Sequence, residues 1–199
     1  MSVSTFKKKR KYHHGDLADT LIEATLMLLN IKGPALLSLR EVARVAGVSH
    51  SALAHHFGDK AGLLTAVAVA GHKLLTLQLN TSQSSQQDTG QRLAATGEAY
   101  IRFAVMHPAH FSIMFQSDLI NLQHPDYVAA CGTSRAVLEQ CVLDLADGAH
   151  AGDHEINATV VALWSQVHGF ADLWLAGNFG DPTDMSLLQN LLDDLLGCE

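Results

Sequence analysis

The sequence lacks the motifs by which common enzymes and metal sites are recognised. It contains no HExxH, no pair of Glu-x-x-His motifs, no glycine-rich phosphate loop and no serine or cysteine in a nucleophile elbow. Its three cysteines, Cys131, Cys141 and Cys198, are an odd number and form no CxxC pair, which argues against a disulfide framework and a structural zinc site. We therefore expect a protein that is not an enzyme and has neither a metal nor a cofactor.

Long apolar runs are missing as well. No stretch of 18 or more consecutive apolar residues occurs, and the charged N-terminal segment is not followed by the apolar core of a signal sequence. We therefore expect a cytoplasmic protein with no membrane partner. With 48% hydrophobic residues among 199, the chain can still bury a substantial core.

The stretch from Ser38 to Lys60 predicts two short helices that meet at a sharp turn. Gly47 suits the left-handed conformation that ends a helix, and the hydroxyl of Ser49 can cap the next one. Leu53 and Phe57 give that second helix a narrow apolar seam, and its other positions are small or polar. The first helix has an apolar stripe formed by Leu39, Val42, Ala43 and Ala46. The pattern predicts a helix-turn-helix whose second helix enters a DNA major groove, although two packed helices of an ordinary bundle would share it.

Charge is distributed unevenly along the chain. The formal net charge is −7, yet residues 1–60 hold nine Lys and Arg against five Asp and Glu, whereas residues 61–199 hold four against fifteen. The basic residues therefore lie where the helix-turn-helix lies. Phosphate neutralisation provides most of the sequence-independent affinity for DNA, so this asymmetry favours a basic DNA-reading part joined to an acidic body.

The run from Lys7 to Lys11 places five positive charges before any helical pattern. We interpret it as an arm that crosses phosphates or enters the minor groove beside the helix-turn-helix. A solvated tail has the same composition, and the run also resembles a nuclear-import signal. The sequence leaves these alternatives open.

Three segments resemble the DNA-binding domain of the tetracycline-repressor (TetR) family. They are YHHGDL at Tyr12 to Leu17, SLREVARVAGVS at Ser38 to Ser49, and His56-Phe57 followed by Asp59-Lys60. The resemblance implies a three-helix DNA-binding domain followed by a larger helical domain that binds a small effector and dimerises. The chain departs from the family pattern at Ala52 and Ala54, where the family usually has phosphate-contacting Thr and Tyr.

The residues expected at DNA are those of the basic arm, the outward positions of the two helices and the start of the following helix, where free N–H groups favour phosphate. They are Lys9, Arg10, Lys11, Tyr12, His13, Ser38, Arg40, Ser49, His50, Ser51, Ala54, His55 and Lys60.

The rest of the chain predicts helices throughout, so the fold class is all-α. Residues 1–60 are expected to form the DNA-binding domain, with Asp16 capping its first helix, and residues 61–199 a helical-bundle domain for effector binding and dimerisation. A helix from Lys60 to about Asn80 would join the two, and a polar Ser/Gln-rich loop would follow it. Helices are also predicted from Gln91 to His107, just after Pro108, and over 127–147, 154–177 and 187–196.

Two apolar faces on the helix over 154–177 need two partners, and the last helix is also broadly apolar. The expected solution is a four-helix interface between two copies of the chain. The residues predicted there are Val160, Leu163, Val167, Phe170, Leu188, Leu191, Leu192 and Leu195. Trp164, His168 and Gly169 also resemble the signature of a TetR C-terminal subgroup known by those three residue types.

We therefore predict a homodimeric regulator, most simply a repressor, that binds a palindromic double-stranded DNA operator and leaves it when a small, largely apolar effector binds. The candidate cavity residues are aromatic, Met and His side chains, for each of which plain core packing is the alternative: Phe103, Met106, Phe111, Met114, Phe115, Trp164, His168 and Trp174. The competing hypotheses are an activator that needs no ligand, and a helical protein-interaction module with an incidental helix-turn-helix.

Overall fold

The computed structural model describes residues 14–84, 86, 88–146 and 152–196, which form helices and contain no strand. The all-α prediction is therefore confirmed. The helices of the described ranges are α1 (His14–Lys32), α2 (Leu39–Ala46), α3 (His50–Phe57), α4 (Lys60–Gln83), α5 (Thr89–Met106), α6 (Pro108–Met114), α7 (Pro125–Ala146), α8 (Asp153–Leu175) and α9 (Met185–Leu196).

The chain divides into two compact units, Met1–Lys60 and Ala61–Glu199. In the first unit α2 packs against α1 and α3, and Lys32 of α1 pairs with Glu41 of α2. The core contains Leu21, Leu28, Leu29, Val42, Ala43 and Leu53, all at most 5% exposed. The predicted cap at Asp16 was wrong, because α1 already begins at His14.

The corner between α2 and α3 has the geometry that its residues predict. Gly47 has φ 70° and ψ 27° and ends α2 in the left-handed conformation, which costs glycine little because it has no Cβ. The N–H of Val48 then donates to the carbonyl of Ala43 at 2.9 Å. Ser49 caps α3, since its Oγ accepts a hydrogen bond from the N–H of Ala52 at 3.1 Å.

In the second unit α5 lies centrally and contacts α6, α7, α8 and α9. Pro108 begins α6 two residues after α5 ends at Met106, as expected for a residue that fits the first helical turn but cannot continue a helix. The largest side chains below 2% exposure in this unit are Trp174, Phe103, Leu63, Leu64, Ile101, Ile113, Met114, Leu188, Leu192 and His72.

Helix α4 alone, among the described helices, is long and apolar enough to cross a membrane by length and composition. Its most apolar window has a mean hydropathy of 1.3, and 56% of that window is buried inside the fold. The core helix of a soluble protein can have the same length and composition, so these two properties alone do not show that α4 crosses a membrane.

Candidate nucleic-acid interface and ligand cavity

Helix α3 presents a polar outer face above a single buried anchor. Leu53 is fully buried and holds the helix on the first unit, while Ser49, His50, Ser51 and His55 are exposed. Ala54, also expected at DNA, is half-buried. A two-turn helix with exposed, uncharged polar and imidazole side chains can hydrogen-bond to base edges and phosphates.

The other predicted DNA contacts lie in different settings. Ser38 and Arg40 are exposed at the start of α2. Lys60 is half-buried, and its Nζ donates to the carbonyl of Pro34 at 2.8 Å. Lys60 was predicted to bind phosphate. In the structure one of its Nζ–H groups is used by the hydrogen bond to the loop after α1, so only the other two are available to an anion. Five predicted residues, Lys9, Arg10, Lys11, Tyr12 and His13, lie outside the described residues, as does Cys198.

A cavity of about 250 Å³ lies within the second unit. Helices α4, α5, α7, α8 and α9 all contribute to its wall, which is largely aliphatic. The apolar lining consists of Leu75, Leu79, Leu93, Ala94, Leu138, Val160, Leu163, Val167, Leu195 and Leu196, with the aromatic rings of Tyr100, Phe115 and Trp164. Such a wall suits an apolar ligand.

The hydroxyl groups in this wall already have partners. Thr96 donates to the carbonyl of Arg92 at 2.7 Å and accepts from Gln83 Nε2 at 2.9 Å. Ser134 donates to the carbonyl of Cys131 at 3.0 Å and lies 2.9 Å from His72 Nδ1. Because each hydroxyl carries one proton, neither has a spare donor for a ligand.

Four side chains form a polar chain from the cavity wall to the outer surface of α8. Trp164 Nε1 donates to the hydroxyl oxygen of Tyr100 at 3.2 Å, and that hydroxyl lies 2.8 Å from His168 Nδ1. His168 Nε2 is in turn 3.5 Å from Asp172 Oδ2, on an exposed side chain. Burial raises the pKa of Tyr100, so its hydroxyl stays protonated and can donate to His168.

Burial also decides the charge state of other groups near the cavity. It lowers the pKa of His72 to about 4, so this cavity-lining imidazole is neutral at pH 7. Burial raises the pKa of the Cys131 thiol, and Tyr127 and Arg135 oppose that shift, so the thiol remains protonated. Within the described ranges, no three His, Cys, Asp or Glu side chains lie close enough to hold a metal ion.

The predicted ligand residues are only partly brought together. Phe115 and Trp164 line the cavity, and His168 lies behind Tyr100 rather than on the wall. Phe103, Met114 and Trp174 are at most 1% exposed and Phe111 is 6% exposed, so these four are core residues, whereas Met106 is 64% exposed on the surface. These five therefore do not line the cavity, whose wall is mainly Leu and Val, and their contact with a ligand stays a prediction.

The residues predicted at the dimer interface lie in different settings within the chain. Val160, Leu188 and Leu192 are at most 1% exposed, so they pack inside their own unit. Leu163, Val167 and Leu195 line the cavity, while Phe170 stacks on Trp174 and Phe179. Leu191 is half-buried. The outer face of α8 is instead formed by residues that were not predicted: Ala158, Val161, Ala162, Ser165 and Leu173.

Sequence reasoning also missed Tyr100, Arg135 and the α4 leucines as cavity residues. The positions on α4 had been assigned only to a connecting helix, since periodicity marks a buried face without showing what it faces. The sequence did distinguish Arg135, which is one of only four Lys and Arg residues after residue 60.

Two family models match the chain. Residues 21–67 match the model described as bacterial regulatory proteins, tetR family, and residues 93–195 match the tetracyclin repressor-like C-terminal domain. The first match spans the helix-turn-helix, and the second covers just over half of the chain. No match was found among curated proteins.

Solved structures extend the similarity over nearly the whole length. A protein of unknown function from Rhodococcus sp. RHA1 is 27% identical, with a TM-score of 0.75 over 95% of this chain and 98% of that one. The TetR family transcriptional regulator PfmR from Thermus thermophilus is 17% identical, with a TM-score of 0.67 over 89% and 94%. A putative TetR family regulator from Shewanella sp. PV-4 is 17% identical, with a TM-score of 0.70 over 90% and 95%. At these two lower identities the similarity concerns the fold.

Proposed function

Because the chain belongs to the TetR family of bacterial regulatory proteins, we propose that it is a cytoplasmic repressor that a small molecule releases from a palindromic operator. The observation that carries the proposal is the pairing of two features in one chain. One is a helix-turn-helix whose second helix exposes Ser49, His50, Ser51 and His55. The other is a largely aliphatic cavity of about 250 Å³ in the separate second unit.

DNA binding uses the exposed face of α3 for base edges and the surrounding polar groups for phosphates. Ser38 and Arg40 at the start of α2 supply phosphate contacts, and the basic arm with Lys9, Arg10 and Lys11 adds sequence-independent affinity. Tyr12 and His13 extend that arm toward the first helix. Positions 52 and 54 of α3 are alanines, whose short side chains cannot hydrogen-bond to DNA. The reading of bases by this helix therefore depends chiefly on its serines and histidines.

Dimerisation through α8 and α9 places two reading helices on one DNA molecule. Three exposed residues of α8, namely Ala158, Ala162 and Ser165, are small and lie on one helical face. Two such helices can therefore approach closely. Gly169 continues this face, and a Cβ there would meet nothing within 4 Å in its own chain. Two-fold pairing implies an operator with two half-sites about one DNA turn apart.

Release requires that the ligand prefers one arrangement of the dimer. An effector lowers operator affinity only if it binds the released state better than the DNA-bound state, and a hundredfold preference corresponds to about 2.7 kcal/mol. Helix α4 leads directly from the end of the first unit to the cavity wall at His72, Leu75 and Leu79. A shift of α4 on ligand binding is therefore the proposed route of coupling.

The experiment is selection of bound duplexes from a random DNA pool, followed by anisotropy titration of the selected sequence at two salt concentrations. We expect a palindromic sequence, a steep loss of affinity with salt, and a smaller salt dependence when Lys7 to Lys11 are replaced by Gln. The matched control replaces Lys73, an exposed lysine of the second unit, by Gln. No enriched sequence, with equally weak binding to scrambled DNA, would overturn the proposal.

A further inference from the structure

We propose that the ligand of the cavity is an amphipathic carboxylate with a single negative charge, whose carboxylate is held by Arg135 and whose apolar part fills the aliphatic wall. The role of this ligand as an effector rests on the function proposed above. Its binding, however, follows from the charge, polar groups and volume of the cavity itself.

Charge is the first argument. Among the described residues that line the cavity, none is Asp or Glu and Arg135 is the one permanently charged side chain; His72 is neutral at pH 7 because burial lowers its pKa. Among the described residues, Arg135 forms no ion pair with a carboxylate. A guanidinium on an apolar cavity wall with no carboxylate paired to it favours an anionic ligand over a neutral or cationic one.

Hydrogen-bonding capacity is the second argument. One NH₂ group of Arg135 donates to Asn157 Oδ1 at 2.7 Å, which leaves other N–H groups of the five for a ligand, in the fork that matches a carboxylate. The hydroxyls of Thr96 and Ser134 donate within the protein, and the Tyr100 hydroxyl is hydrogen-bonded to Trp164 and His168. Among the described residues of the wall, the guanidinium thus keeps the strongest N–H donors for a ligand, and the amide there, Gln166, is exposed and uncharged.

The position of Arg135 limits the desolvation cost of a charged ligand. Arg135 is half-buried on α7, and its partner Asn157 is exposed on α8. Since Arg135 lines the cavity and its guanidinium bonds to an exposed Asn157, the proposal places the carboxylate where the cavity meets solvent, so that it keeps part of its hydration. Full burial of the same ion would cost far more.

Volume sets the size of the apolar part. A cavity of about 250 Å³ holds roughly eight groups of water or methylene size, taking about 30 Å³ for each. A chain of about eight carbons can lie against Leu75, Leu79, Leu93, Leu163 and Leu196 with its carboxylate at the solvent side. Octanoate is a probe of this size and charge.

The test is isothermal titration of the full-length protein with octanoate, 1-octanol and octylamine at pH 7. We expect octanoate to bind at least tenfold more tightly than 1-octanol, and octylamine to bind most weakly. Arg135→Gln should abolish the preference for octanoate while leaving 1-octanol affinity unchanged, which also shows that the cavity is intact. Arg135→Lys should restore part of the preference, and Lys73→Gln, a charge change at an exposed residue off the cavity wall, should change nothing.

Different results would contradict the ligand class and the effector role of the ligand. Equal affinities for octanoate and 1-octanol, or a preference that survives Arg135→Gln, would overturn the carboxylate assignment. Operator release is measured separately by anisotropy. Octanoate that binds through Arg135 without releasing the operator supports the carboxylate site and contradicts the proposed effector function.

Discussion

Tyr100 and His168, 68 positions apart in the chain, are joined by a hydrogen bond of 2.8 Å between the phenolic oxygen and Nδ1. Tyr100 lines the cavity and His168 faces Asp172 on the exposed side of α8. Trp164 Nε1 donates to the same phenolic oxygen at 3.2 Å, so the Tyr100 hydroxyl is hydrogen-bonded to two side chains of α8. One hydroxyl thus orients both a tryptophan of the cavity wall and a histidine behind it.

Replacing Tyr100 by Phe removes this oxygen at nearly constant volume. Trp164 Nε1 and His168 Nδ1 then lose their shared partner, and we expect the free energy of unfolding to fall by about 1–3 kcal/mol. Urea denaturation of Tyr100→Phe, His168→Asn and the double variant measures the coupling, expected at about 1 kcal/mol. The control pair is Tyr100→Phe with Gly132→Ala, a change at an exposed position, whose effects on the free energy of unfolding should add. Additive effects in the Tyr100–His168 pair as well would contradict the network.

Ser49→Ala tests the cap of the recognition helix. The N–H of Ala52 loses its acceptor, so α3 should be destabilised by about 1 kcal/mol and the Ala52 amide should exchange with solvent faster. Ser38→Ala is the matched control, because Ser38 occupies the N-cap position of α2 without a side-chain hydrogen bond. An equal loss of stability in the two variants would show that the hydroxyl of Ser49 is not a cap.

Gly71→Ala tests the close approach of α4 and α6. A Cβ at Gly71 would lie 2.6 Å from Met114 Sδ and 3.2 Å from His110 Cβ, and Met114 is fully buried. We expect a loss of about 1–3 kcal/mol in thermal or urea unfolding from this overpacking. Gly132→Ala in α7, where a Cβ meets nothing within 4 Å, should be neutral or stabilising by up to about 1 kcal/mol.

His72 makes stability depend on pH. Burial lowers its pKa in the folded state to about 4, below the ordinary value of 6.5, so the unfolded chain binds the proton more readily. Its contribution is therefore intact above pH 6.5 and is lost as pH falls toward 4. Between pH 7 and pH 5 this loss is about 2 kcal/mol. Urea unfolding at both pH values measures this loss. In His72→Asn the free energy of unfolding should fall between pH 7 and pH 5 by less than in the unmodified protein, and the difference should equal the contribution of His72. An unchanged pH dependence would contradict the assignment.

The outer face of α8 is the revised dimer surface, and Val161→Glu tests it. Val161 is 45% exposed, so a carboxylate there is tolerated in the monomer but disfavoured in a helix pair. Sedimentation should show a shift toward monomer for this variant. Val128→Glu on α7, at a valine 55% exposed, should leave the dimer intact, and the same result for both would move the interface elsewhere.

Local features of this chain could be predicted from its residues, because their causes are local. Gly47, Ser49 and Pro108 define helix ends through backbone conformation, hydrogen-bonding capacity and ring geometry within a few residues. The corner between α2 and α3 and the junction of α5 and α6 therefore lie where the sequence places them. The all-helical class follows from the same periodic patterns.

Tertiary structure alone decided what each apolar face meets. Val160 and Leu188 have the pattern of an interface but are buried in their own unit, and Phe103 and Trp174 have the character of cavity walls but are core. An apolar stripe lowers its free energy by leaving water, whatever surface covers it, so the sequence determines that a face is buried. Which neighbours cover it, and where they leave a gap, depends on how helices from distant parts of the chain pack together.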